Sequence, residues 1–156
     1  MGNGQAVRHW VLVPGSGVRI PLPQPSQILT MNRPTNQNLV DEAKAVRLMF
    51  QNSLIPRSLL KELYMDYNPV ANIESFLDWA KDQFPKLNCG LTAVYLKHHL
   101  GTGQIIKGSY NKEHHTFLEI GDNIIDITAD QFGGPKIYVG PLKLPWSRQV
   151  YQTFDT

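Results

Sequence analysis

Gln104-Ile105-Ile106-Lys107-Gly108-Ser109-Tyr110, then His114-His115-Thr116-Phe117-Leu118-Glu119-Ile120, then Ile124-Ile125-Asp126-Ile127-Thr128: these three runs decide the fold. Each is short and rich in β-branched or aromatic residues. Turn formers separate them, Asn111-Lys112 after the first and Gly121-Asp122-Asn123 after the second. The pattern predicts strands joined as antiparallel hairpins. A fourth strand is expected over Lys136 to Val139, after the Gly133-Gly134-Pro135 turn, followed by an irregular tail with Pro141 and Pro145.

Upstream, the apolar period changes to that of a helix. Leu39, Ala43, Val46, Leu48, Met49 and Phe50 predict a helix from about Asn38 to Gln51. Pro56 suits the first turn of a second, which carries Leu59, Leu60, Leu63 and Tyr64. Asn72 or Ser75 caps a third, with Ile73, Phe76, Leu77, Ala80 and Phe84 as its stripe and Pro85 as its stop. Trp79 lies at the edge of that stripe, and Trp79 and Phe84 both read as core. The fourth helix runs from Cys89 to Leu100, with Asn88 as N-cap and Gly101 as terminator. Helices followed by a run of strands predict the α+β class.

Length and composition narrow the function classes. The 156 residues suit one core-forming domain, and 42% hydrophobic content is that of a globular chain. Fifteen basic residues against 13 acidic give a net charge of +2, with no basic block, so nucleic acid is not the expected partner. No apolar run approaches the ~20 residues of a membrane span, and Trp10-Val11-Leu12-Val13 is too short for a secretory signal core. The single cysteine makes no intrachain disulfide, and a cytoplasmic location is expected.

Residues 1–35 differ from the rest. They hold Pro14, Pro21, Pro23, Pro25 and Pro34 among several glycines and lack helical or strand periodicity, the composition of a low-order tail. Gly15-Ser16-Gly17-Val18-Arg19-Ile20-Pro21 also resembles a translated transfer-RNA T-arm. On that reading the native start is Met31 and the gene abuts a mobile element or prophage; an ordinary disordered tail is the alternative. Residues 36–156 are expected to form a single domain.

The chemistry centres on Cys89. An unperturbed thiol ionises near pH 8.5, whereas a thiol in the first turn of a helix has unpaired N–H groups and the dipole to favour its anion. Its backbone N–H is an oxyanion donor, and Asn88 is the candidate for a second. A lone cysteine also serves as a small buried apolar residue, so its partners decide between the two readings. Along the second strand His115, Phe117 and Glu119 share a face, and His114, Thr116, Leu118 and Ile120 share the other. A two-residue loop, Asp122-Asn123 or Gly121-Asp122, puts Asp126 on the His115 face; the second register makes the two diagonal neighbours. A three-residue loop puts Asp126 on the His114 face. Cys89, His115 and Asp126 are the favoured nucleophile, base and orienting carboxylate.

At these residues the sequence resembles the transglutaminase-like branch of the papain-like cysteine enzymes. That family carries a cysteine at a helix N-terminus, a histidine in a His-x-aromatic-x-Glu-hydrophobic strand and an aspartate in an Asp-x-Thr strand. The counterparts here are Cys89, His115-Thr116-Phe117-Leu118-Glu119-Ile120 and Ile125-Asp126-Ile127-Thr128, and the resemblance covers about Leu87 to Phe132. It implies a papain-like core and an acyl-thioester on Cys89. It also implies attack on the amide or peptide carbonyl of a protein or peptide substrate. Hydrolysis, deamidation and acyl transfer all share that intermediate, and the compact chain favours a protease or deamidase over a crosslinking enzyme.

Two rival readings compete with this one. Five histidines invite a metal site, with His98-His99 and His114-His115 as donors beside Cys89 and Asp126. Adjacent residues point in different directions, and His-x-x-x-His and Cys-x-x-Cys spacings do not occur, so neither a metal nor an organic cofactor is expected. His98 and His99 suit a helix C-terminus, and His9 lies in the tail. Asp130 shares the parity of Asp126 and is its rival as orienting carboxylate; Glu119 is expected only to bridge to a lysine. The non-enzymatic alternative is a catalytically inactive papain-like binding module or inhibitor from a mobile element, which has no chemical reason to keep three such residues.

Overall fold

In the computed structural model, the described residues are 10–12, 19–21 and 35–151, and contacts separate the chain into two units, Met1–Thr35 and Asn36–Thr156. In the first unit β1 (Trp10–Leu12) pairs antiparallel with β2 (Arg19–Pro21), Val11 opposite Ile20, where the composition predicts no strand. The expectations for the rest of that tail, including His9 and a start at Met31, lie outside the described residues.

The second unit has four helices among the described residues: α1 (Asn36–Gln51), α2 (Arg57–Tyr67), α3 (Ile73–Gln83) and α4 (Cys89–Leu100). Five strands follow: β3 (Gln104–Tyr110), β4 (Glu113–Ile120), β5 (Asn123–Asp126), β6 (Tyr138–Gly140) and β7 (Trp146–Ser147). A 3₁₀ turn, Ala129–Phe132, sits between β5 and β6. The strands form one antiparallel sheet in the order β6-β5-β4-β3-β7, an α+β arrangement.

Local chemistry sets the boundaries. Pro56 stands just before α2, and its carbonyl accepts from the N–H groups of Leu59 and Leu60. Of the two candidate caps for α3, Asn72 is the one used: its Oδ1 accepts from the Ser75 N–H at 3.2 Å. Phe84 leaves the helix in an extended conformation because the following Pro85 excludes the helical one. Gly101 closes α4 at φ +71°, donating its N–H to the Lys97 carbonyl.

The period-2 pattern of the strands separates two cores. On one face Leu118, Ile125 and Ile127 meet Leu39, Ala43 and Val46 of α1 and Tyr95 and Leu96 of α4. On the other, Ile106, Phe117 and Ile124 gather with Tyr110, Ala129 and Trp146. Burial of side chains of this size contributes ~1.5–3 kcal/mol each. Helix α4 is buried without a break from Gly90 to Leu96, so it is the central helix and its first residue is firmly held. Tyr138 on β6 and Trp146 on β7 belong to opposite edge strands, yet their rings stack at 4.0 Å. The sheet therefore curls until its edges meet. Gly108 permits the last pairing, because a Cβ there would overlap the Ser147 carbonyl oxygen.

Three expectations need correction. Leu48 is 56% exposed, and Arg47 takes its place in the buried stripe of α1. Trp79 is 60% exposed and is not core, whereas Phe84 stacks on Phe50. The segment after Pro141 is not wholly irregular, since it supplies the edge strand β7. Among the described residues no helix is long and apolar enough to cross a membrane.

Candidate active site

The β4–β5 register is Leu118 opposite Ile125, Glu119 opposite Ile124 and Ile120 opposite Asn123, which leaves Gly121-Asp122 as the loop. Gly121 accepts φ +57° there without steric cost. This is the register that sets Asp126 diagonal to His115 on one face, and the two side chains meet: His115 Nε2 lies 2.6 Å from Asp126 Oδ2. Both residues are 2% exposed.

Four donors converge on the Asp126 carboxylate. Oδ2 accepts from His115 and from Trp146 Nε1–H at 2.7 Å; Oδ1 accepts from the Thr128 N–H at 2.9 Å and the Thr128 hydroxyl at 3.3 Å. A carboxylate so held cannot rotate, and it fixes the imidazole plane through the Nε2–H bond. With Nε2 given to Asp126, the other nitrogen faces the thiol. That atom, Nδ1, is buried and makes no hydrogen bond of ordinary geometry, but Cys89 lies within its electrostatic reach. Rings close around the imidazole, with Phe132 edge-to-face at 5.2 Å and Tyr110 at 6.3 Å.

Cys89 opens α4, and the two ionisable groups shift in opposite directions. Burial pushes the thiol up, but His115 and the backbone N–H and hydroxyl of Thr116 outweigh it, leaving the thiol below its ordinary value. Burial pushes the imidazole down, yet the bond to Asp126 and the nearby Cys89 lift it to about 9. Between the lowered thiol value and about 9 the pair therefore stands as thiolate and imidazolium.

Asn88 does not serve as the second oxyanion donor. Its amide nitrogen donates to the carbonyls of Ala80 and Lys86, each at 2.7 Å, and both hydrogens are spent there. Nor does its side chain cap α4. Instead the buried amide ties the end of α3 to the start of α4. Asp130 is likewise removed as a rival to Asp126, because both its oxygens accept from Arg47, at 2.8 and 2.7 Å. Glu119 pairs with Arg148 rather than a lysine. His99 bonds Glu42 at 2.6 Å and His114 is exposed. Among the described residues no group of three or more His, Cys, Asp or Glu side chains is arranged to hold a metal ion.

The thiol opens into a cleft of about 410 Å³ whose walls include Tyr67, Phe76, Leu87, His115 and Gln131. Leu87 is held in the left-handed region at φ +67° and is 44% exposed. A leucine there costs ~1–2 kcal/mol relative to an ordinary backbone conformation. Leu87→Gly is expected to raise stability in urea unfolding by up to about 1 kcal/mol, after allowing for the extra freedom of glycine when unfolded. A loss of stability would mean that the leucine side chain packs against its surroundings.

Sequence reasoning missed Trp146, Thr116 and Tyr67. Trp146 sits in a two-residue strand far along the chain, and its proximity to Asp126 depends on the curl of the sheet. Thr116 is adjacent to His115 in sequence, but its side chain has the opposite parity along β4. Thr128, the last residue of the Asp-x-Thr run, anchors Asp126.

No curated protein and no solved structure matches this chain. The family model described as YunG protein matches residues 58–152, a stretch that runs from α2 past β7 and carries Cys89, His115, Asp126 and Trp146. More than half of the sequence lies within that match, and the chain belongs to the YunG protein family.

Proposed function

We propose that this chain is a cysteine-dependent hydrolase or acyltransferase with a papain-like, transglutaminase-like catalytic core, acting on an amide or peptide carbonyl. The observation that carries the reading is the buried His115–Asp126 bond of 2.6 Å beside a thiol at the start of a central helix. The Cys89 thiolate attacks the carbonyl carbon while the Cys89 backbone N–H, at the free end of α4, receives the developing oxyanion. The His115 imidazolium then protonates the leaving nitrogen, and the carbon–nitrogen bond breaks to leave an acyl-thioester. Neutral His115 next takes a proton from water or an amine, whose attack releases the acyl group and restores the thiolate. Asp126 keeps the ring oriented throughout and supports its charge. The short chain favours a protease or deamidase over a crosslinking enzyme. Thr116 assists by solvating the thiolate.

A generic acyl donor tests this without knowledge of the natural substrate. With p-nitrophenyl acetate the native protein is expected to release a burst of nitrophenol equal to the protein concentration, and mass spectrometry should find the acetyl group on Cys89. The burst is expected to vanish in Cys89→Ala and to slow by about 10²–10⁴-fold in His115→Ala. Equal, slow release from the native protein and Cys89→Ala would refute the reading and leave the binding-module alternative.

A further inference from the structure

The Cys89 sulfur faces a cleft in which, among the described residues, Lys107 is the one lysine or arginine and no side chain is a carboxylate. Lys107, His114 and His115 line it with Cys89. His115 is committed to the Cys89 and Asp126 pair, so Lys107 and His114 are the groups left to meet a ligand.

Lys107 is set in place by the sheet. It stands directly across the β3–β4 ladder from Thr116, the residue whose N–H and hydroxyl reach the Cys89 sulfur. Residues opposed in this way have side chains on the same face, ~5 Å apart at Cβ. The ammonium Nζ lies over the Tyr67 ring, 4.9 Å from its centroid, and Tyr67 is itself a wall of the cleft. Lys107 makes no ion pair with any described residue. Two acids of the same sheet are engaged elsewhere: Asp126 bonds His115, and Glu119 is paired with Arg148. A lysine held against an aromatic ring beside a nucleophile, with its positive charge uncompensated, is built to receive an anion.

We propose that the Cys89 cleft takes an acyl donor that carries a carboxylate near the reacting carbonyl, an acidic peptide segment, and that Lys107 and His114 recognise it. The proposal rests on the reading of Cys89 as the nucleophile. It adds the charge of the substrate, which the triad leaves open.

Iodoacetate and iodoacetamide supply the test, since both lose iodide as the Cys89 sulfur bonds their methylene carbon and only the first is an anion. Second-order labelling rates are measured for native protein, Lys107→Gln, Lys107→Arg and His114→Gln at low and high salt. The iodoacetate-to-iodoacetamide ratio of the native protein is expected to fall by at least about 3-fold in Lys107→Gln, to recover in Lys107→Arg and to shrink with salt. A ratio indifferent to both Lys107→Gln and His114→Gln overturns the proposal, while fast labelling by iodoacetamide leaves the nucleophile in place. Labelling as slow as that of an ordinary thiol with both reagents removes the nucleophile reading and this proposal together.

Discussion

Asp126→Asn is expected to slow acylation of Cys89 by about 10²–10⁴-fold at neutral pH while the protein stays folded. An amide in place of the carboxylate keeps the shape but supplies one oxygen acceptor and one nitrogen donor. Oδ2 now accepts from both His115 and Trp146, and Oδ1 accepts from Thr128, so wherever the nitrogen is placed at least one donor faces another donor. The imidazole loses its largest supporting interaction against burial and falls from about 9. It then holds less firmly the proton with which it stabilises the thiolate and protonates the leaving nitrogen. The nitrophenol burst measures the loss, and circular dichroism checks the fold. A rate within about 3-fold of native would show that Asp126 is not the orienting group.

The largest effect on stability is expected at Arg47. This α1 residue is 6% exposed, and Nη1 donates to the carbonyls of Ile127 at 2.7 Å and Lys136 at 3.2 Å. Both terminal nitrogens also bind Asp130, and the guanidinium lies 5.1 Å above the Phe84 ring. Arg47→Met leaves Asp130 charged and partly buried without its partner and strands two carbonyls, a change of ~3–5 kcal/mol. Urea unfolding is expected to show that loss, and Arg47→Met with Asp130→Leu is expected to recover part of it, because the second change removes the stranded charge. A cost under about 1 kcal/mol in the single variant would mean that the ion pair only balances its own desolvation. Because Ile127 directly follows Asp126, the same variant is expected to lower the burst rate even where the protein remains folded.

Much of the candidate site is legible in the sequence because it depends on local chemistry. The Cys89–Leu100 helix and the Gln104–Tyr110 strand have the predicted boundaries, set by Gly101 and by the turn at Asn111-Lys112. The parity argument for His115 and Asp126 needed only the length of one loop, and the Gly121-Asp122 register brings their side chains together. What stayed hidden depends on the curl of the sheet or on packing between distant segments. Trp146 reaches Asp126 across 20 residues of sequence, and Arg47 reaches Asp130 across 83. Asn88 illustrates the other limit: an asparagine before a helix suits both a cap and an oxyanion donor, and in the fold its amide does neither, spending its hydrogens on Ala80 and Lys86.

The central claim is that Cys89 and His115 form a thiolate–imidazolium pair. Its most direct test is the rate of Cys89 alkylation by iodoacetamide followed from pH 4 to pH 10 in the native protein and in His115→Ala. A thiol lowered by His115 reacts as the anion well below pH 8.5, so the native rate is expected to hold its plateau through neutral pH. In His115→Ala the plateau is expected to retreat to pH 8.5 or above, since burial then acts on the thiol without the imidazolium to oppose it. Identical profiles for the two proteins, both rising only near pH 8.5, would contradict the account.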